Sequence, residues 1–243
     1  MTSLTLDILR PPAIDDVAEP YIAEEPVLET PSPATWDPET FAREQIRGMV
    51  RQLFLPSGPR PVRQVVFSSI DPTTDVAEIC ALVGRDLAAQ MSGKVCFVEA
   101  HPRSPALQLL LESQDIEDRP RLVNSSAKSA KPIAGNLWLM AVRDFLGNEQ
   151  RRLSTTHLRV ALTEIRRDFE FAIIHAPLAS LYSEPALLGQ LCDGIILVLE
   201  ANCTRRIAAR KTIQNLQSMN ARLLGTVLNQ RTFPIPERLY RRL

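Results

Sequence analysis

Apolar and polar positions follow two regimes along this 243-residue chain. Residues 1–36 are rich in Pro, Glu and Asp with little periodicity, which predicts a disordered or extended acidic leader. Regular spacing begins in "WDPETFAREQIRGMVRQLFLP", where Phe41, Ile46, Met49, Val50 and Phe54 fall on one face at helical spacing. Asp37 suits the N-cap of this helix and Pro38 its first position. The run "PSGPRP", residues 56–61, then breaks the chain.

Past this linker, short apolar runs alternate with amphipathic stretches. Strands are expected at residues 63–69, 94–100, 136–142, 171–177, 194–201 and 222–230. Helices are expected at 74–91, at 154–169 with Ser154 as cap, at 184–192 and at 204–220. Residues 112 to 135 are polar and read as loop with a short helix. Strands this uniformly apolar, separated by helices, predict an α/β fold whose mostly parallel sheet carries helices on both faces. The expected organisation is a leader over 1–36, a helix and linker over 37–61, and one α/β domain over 62–243. In such a sheet ligands sit at the carboxyl ends of the strands.

Composition narrows the picture. No apolar run approaches the roughly 20 residues that cross a bilayer. The N-terminus lacks the basic start and apolar core of a secretory signal, so a cytoplasmic protein is expected. The four cysteines show no C-x-x-C spacing and read as reduced core thiols, with no metal site expected. The net charge of zero conceals an asymmetry: residues 1–40 hold nine carboxylates and one cation, Arg10, leaving 27 basic against 19 acidic residues in the rest. The leader reads either as a solvated, solubilising segment or as one that folds back or engages a partner. With 5% aromatic residues and no basic–aromatic interleaving, no nucleic-acid module is expected.

The chemistry centres on "VVFSSIDPTTDVAEI". A β-branched run, a polar turn and a long helix form the layout in which a phosphate-binding loop sits. A working loop needs glycines so that backbone N–H groups close on the phosphates, a Lys to neutralise them, and a Ser or Thr for Mg²⁺. This turn has neither glycine nor lysine.

The order of segments resembles the MinD/ParA-like branch of the P-loop NTPases. The nearest resemblance is to the cytoplasmic bacterial tyrosine-kinase domains of exopolysaccharide synthesis, the co-polymerase and chain-length regulator family, over roughly residues 40 to 231. It is carried by the order of Glu44 and Arg47 in an E-x-x-R helix, the loop "VVFSSIDPTTDVAEI", the acidic-motif counterpart "VEAHPRSP", the Walker B counterpart "FEFAIIHAP", and the late segments "CDGIILVLEANCTRR" and "ARLLGTVLNQR". The resemblance places the Gly-x-Gly-Lys-Ser/Thr positions on Thr73, Thr74, Asp75, Val76 and Ala77, so glycines, cation and metal-side hydroxyl are all replaced. Its first acidic pair falls on Glu99 and His101, and its Walker B aspartate on His175. Each histidine reads as a residue with an internal hydrogen bond at a strand end, or as an acid, base or ligand to a softer metal. Asn229 matches the family's adenine-contacting Asn, which implies a place where ATP or ADP docks weakly without Mg²⁺. Glu44 and Arg47 match the helix that mediates subunit contact in the family. The tail "FPIPERLYRRL" has one tyrosine, Tyr240, among arginines, where family kinases often carry many.

These departures imply a non-catalytic pseudo-kinase or pseudo-ATPase that needs no cofactor. It would act as a scaffold or regulator of exopolysaccharide synthesis and export, docked on a related kinase domain, a co-polymerase or a second copy. That would place it in the cytoplasm, at the inner membrane face when partner-bound. Two alternatives stay open: an atypical ATP-binding tyrosine kinase or ATPase recruiting Arg103, Arg205 and Arg206, and a MinD/ParA-like positioning adaptor.

Overall fold

The computed structural model describes residues 38–55, 61–113, 130–147 and 154–230. The leader, the Asp37 cap, most of the "PSGPRP" linker and the tail with Tyr240 lie outside the described residues. Helix α1 (Pro38–Phe54) is followed by β1 (Gln64–Ser69), α2 (Val76–Gln90), β2 (Val95–Glu99), α3 (Ala106–Ser113), β3 (Ala130–Ala134) and β4 (Leu137–Met140). Then come α4 (Val142–Leu146), α5 (Thr155–Asp168), β5 (Phe171–His175), α6 (Glu184–Leu191), β6 (Gly194–Glu200), α7 (Arg206–Ser218) and β7 (Leu223–Asn229).

The strands form one seven-stranded sheet in the order β3-β4-β2-β5-β1-β6-β7. Every pairing is parallel except that of β3 with β4. The period of two along each strand splits the core into two layers. Val65, Phe67, Val95, Phe97, Phe171, Ile173, Ile196 and Val198 point to one face, where α1, α2 and α3 cover them. Val66, Cys96, Val98, Ala172, Ile174, Ile195 and Leu197 point to the other, under residues of α4, α5, α6 and α7. A strand buried on both faces has no polar alternation to show, which is why these segments read as continuous apolar runs.

The middle of the chain departs from expectation. Residues 130–134, read as loop, form β3, the antiparallel edge strand; its sequence AKPIA has a proline and weak β-propensity, both tolerated at an edge. Helix α3 (Ala106–Ser113) was not expected, and most of the stretch 112–135, with the short helix read there, lies outside the described residues. Val142 starts helix α4 instead of closing a strand. Ser154 occupies the N-cap of α5 but its side chain makes no capping bond. On α1, Val50 and Phe54 are buried and Ile46 and Met49 pack against them, while Phe41 is exposed. Cys80 and Cys96 are core thiols, but Cys192 is only partly covered and Cys203 is exposed. No described helix is long and apolar enough to cross a membrane.

Helix α2 lies close against the sheet because Gly84 has no side chain. A Cβ there would stand 2.1 Å from the ring of Phe97, which is fully buried, and 3.1 Å from Ile173. Overpacking of this kind costs about 1–3 kcal/mol, partly offset by about 1 kcal/mol of better helix propensity in alanine. Gly84→Val, which adds two further methyl groups and gains less helix propensity than alanine, is therefore expected to destabilise the fold more than Gly84→Ala. Urea unfolding followed by circular dichroism checks this; equal midpoints for both variants and the parent would contradict the close approach.

Candidate functional site

Five neighbouring strands end together on the carboxyl edge of the sheet: β2 at Glu99, β5 at His175, β1 at Ser69, β6 at Glu200 and β7 at Asn229. Parallel pairing sets Glu99 beside His175 and Glu200 beside Asn229. This is the edge at which an α/β sheet binds its ligands.

The turn after β1 is held shut by its own side chains. Asp75 is the N-cap of α2, and its Oδ1 accepts the Glu78 N–H at 3.0 Å. The Thr73 hydroxyl donates to Glu200 Oε2 at 2.5 Å, and Thr74 donates to the same oxygen at 3.3 Å. Thr204 donates its hydroxyl to the Asp71 carboxylate, while its oxygen accepts the Glu200 N–H at 2.8 Å. From the β5–α6 connection, Ser180 donates to the Ile70 carbonyl at 2.6 Å and Ser68 is bonded to the Pro177 carbonyl. Val76 and Ala77 are buried in the first turn of α2.

These residues do not fit a magnesium-bound triphosphate. The segment 70–78 contains no cation and no glycine, and carboxylates of Asp71, Asp75 and Glu200 stand around it. Bringing a further negative charge to about 4 Å costs on the order of 1 kcal/mol per carboxylate in bulk water, and more in a cleft. The helix N-terminus, otherwise an anion site, already has the Asp75 carboxylate on it.

The acidic-motif positions form a second cluster. Glu99 is fully buried and its carboxylate is saturated with donors. Oε1 accepts the His101 N–H at 2.9 Å and lies 2.9 Å from His175 Nδ1; Oε2 accepts the Leu107 and Gln108 N–H groups at 3.0 and 3.3 Å. With every neighbour a donor, the His175 proton sits on Nδ1 and points at Glu99. The His101 ring stacks on His175 with centroids 5.7 Å apart, and its Nδ1 accepts the Ser104 N–H at 3.0 Å. The readings of His101 and His175 as residues with internal hydrogen bonds therefore match the geometry. Among the described residues no group of three or more His, Cys, Asp or Glu side chains is arranged to hold a metal. Beneath both clusters lies Cys80, whose thiol pKa is pushed well up by burial and then by the charges of Glu99 and Asp75.

The other candidates are not among the bonded residues of these clusters, although Asn229 stands beside Glu200 in the sheet. Asn229 is partly buried at the end of β7 and its carbonyl accepts the Ala201 N–H at 2.9 Å. Arg103 lies over the Tyr182 ring at 4.4 Å and 3.9 Å from Glu184. Arg205 and Arg206 are exposed at the start of α7. Arg47 bonds Glu44 at 2.6 Å and approaches Asp86 of α2 at 3.8 Å, so the E-x-x-R pair already links α1 to α2 within the chain. Asp71, Glu200 and Thr204 were missed in the sequence. A carboxylate ending a seven-residue apolar strand was the available signal for Glu200.

Comparison with known proteins agrees with this architecture. No family model matches the chain. It is 22% identical over 204 residues to the tyrosine-protein kinase YwqD of Bacillus subtilis, covering 81% of this chain and 84% of that one. It is 26% identical over 83 residues to the tyrosine-protein kinase CpsD of Streptococcus agalactiae, about a third of either chain (34% and 36%). Among solved structures, the chimerical protein CapA2B2 superposes with a TM-score of 0.64 at 17% identity, over 78% of this chain and 85% of that one. The VpsO kinase domain gives 0.61 at 20% identity, over 80% and 98%. The MinC:MinD complex of Aquifex aeolicus gives 0.55 at 16% identity, over 74% and 72%. The fold is the P-loop NTPase-like α/β fold shared by these kinases and MinD. The sequence likeness is thus to bacterial tyrosine-protein kinases.

The His101 ring gives the site a pH signature. Burial lowers its pKa below the ordinary 6.5, His175 lowers it further, and Glu99 opposes them. A folded-state value below the unfolded one means that the stability contributed is present above about pH 6.5 and is lost as pH falls through the folded value. Protonation of Nδ1 also removes the acceptor for Ser104. Urea midpoints of the parent should therefore fall between pH 7 and pH 5 by more than those of His101→Asn, whose amide oxygen keeps an acceptor without titrating. Parallel profiles for the two proteins would contradict this.

Proposed function

We propose that this chain is a non-catalytic scaffold or regulator in bacterial exopolysaccharide biosynthesis and export, acting through protein contacts. The likeness to bacterial tyrosine kinases supports the pathway. The observation that carries the non-catalytic reading is the turn at 70–75, where Thr73 and Thr74 are bonded to Glu200 and Asp75 caps α2. Phosphoryl transfer depends on positioning and charge stabilisation by a loop lysine, metal ligands and a residue that orients the nucleophile. In this chain side-chain hydrogen bonds and buried apolar residues stand in each of those positions, so the fold keeps its shape without the charges the reaction needs.

Such a protein works by binding. Its partners on this reading are a related kinase domain or a co-polymerase of the same system, with a second copy of the chain as a further candidate. The α1 face with Glu44 and Arg47 is one surface for that contact; both side chains are about half exposed, at 55% and 43%, although bonded to each other.

Nucleotide titration is the direct test. Full-length protein titrated with ATP and ADP to millimolar concentration, with and without Mg²⁺, should give no saturable heat in calorimetry and no rise in Tm. A ligand at 100 times its Kd stabilises by about 2.7 kcal/mol, which a thermal scan detects readily. Saturable Mg²⁺-dependent binding would overturn the proposal, as would autophosphorylation of the chain with labelled ATP.

A further inference from the structure

Helix α7 carries more cationic surface than the fold uses. Between Glu200 and Glu237 the sequence has no carboxylate, and Arg205, Arg206, Arg210 and Lys211 cluster at its start. The inner side of α7 is accounted for: Thr212 and Leu216 are buried, and Ala208, Ala209 and Ile213 pack on the core. Positions 207, 210, 211 and 214 recur at helical spacing on the opposite side. There Ile207 is 82% exposed, flanked by Arg206, Arg210 and Lys211, all exposed. Among the described residues none of these four cations makes an ion pair or hydrogen bond. Among the described residues, this outward isoleucine and the cations around it contribute nothing to the packing of the core.

We infer that the outer face of α7 is a docking surface for an anionic lipid membrane. Charge complementarity selects an anionic partner. The shape selects a lipid surface over a protein: the face is one convex helix side with one aliphatic residue and no aromatic anchor, whereas protein interfaces centre on clustered anchors seated in well-packed pockets. Long basic side chains around one apolar residue suit fluid headgroups, with the cations at the phosphates and Ile207 entering the boundary of the acyl region. Nucleic acid would be drawn by the same cations but offers Ile207 no apolar phase. This inference is independent of whether the chain binds nucleotide, and its test reads a different quantity.

The test is sedimentation of the full chain with sucrose-loaded vesicles, either pure phosphatidylcholine or phosphatidylcholine with 30% phosphatidylglycerol. The protein should partition onto the anionic vesicles only, and lose binding as salt rises. Each basic residue near such a surface contributes about fivefold in partitioning, so neutralising two in Arg210→Gln/Lys211→Gln should weaken binding about 25-fold. Ile207→Asp should weaken it as well, while Arg159→Gln, an exposed cation on α5, should leave it essentially unchanged. Unchanged circular dichroism spectra and Tm would show that each variant is folded. No binding of the parent to anionic vesicles would overturn the inference, as would equal binding to neutral ones. So would undiminished binding of the double variant, which would place the lipid contact elsewhere, or binding to a DNA duplex in place of vesicles.

Discussion

The buried carboxylate of Glu99 is the interaction on which the carboxyl edge of this sheet depends. It stands at the end of β2 with no solvent exposure and takes hydrogen bonds from three backbone N–H groups and one imidazole. A buried carboxylate is tolerable only when its lone pairs are filled, and removing a partner from such a group typically costs about 3–5 kcal/mol. Those four donors tie together β2, β5, the 101–104 turn and the N-terminus of α3. This acidic residue at the carboxyl end of a strand is an internal hub, and it holds the His175 ring in place.

The turn after β1 obeys the same logic with different atoms. In a phosphate loop, glycine backbone donors and a lysine converge on a bound anion. Here the hydroxyls of Thr73, Thr74 and Thr204 bond to Glu200 and Asp71, and Asp75 caps the helix. The polar demands of the turn are thus met within the protein. Two neighbouring strand-to-helix connections, after β5 and after β6, contribute to the closure through Ser180 and through Glu200 with Thr204.

Much of the fold was legible because both of its signals are local. Strands β2, β5, β1 and most of β6 are buried on both faces and show as apolar runs; their helices show a period near 3.6. Where the local signal weakened, the reading did too. The AKPIA segment of β3 has neither length nor alternation, and it becomes a strand only by pairing antiparallel with β4 at the sheet edge. Helix α4, five residues long, exists because Phe145 and Leu146 find the core beside α5. Ser154 has the right residue type for a cap, but its hydroxyl makes no bond to the first turn.

The sequence by itself determined the α/β alternation, the strand–turn–helix at 65–90, and the absence of glycine and lysine from that turn. These follow from residue type and spacing, which fold within about a dozen residues. What only the tertiary structure decided is which partners the polar side chains of the carboxyl edge find. Glu99 and His175 are 76 residues apart and Thr73 and Glu200 are 127 apart. Their hydrogen bonds exist because parallel crossovers bring the carboxyl ends of β2, β5, β1 and β6 into one row. No local pattern encodes such a meeting, since it depends on strand order and register, which the packing of the two core layers sets.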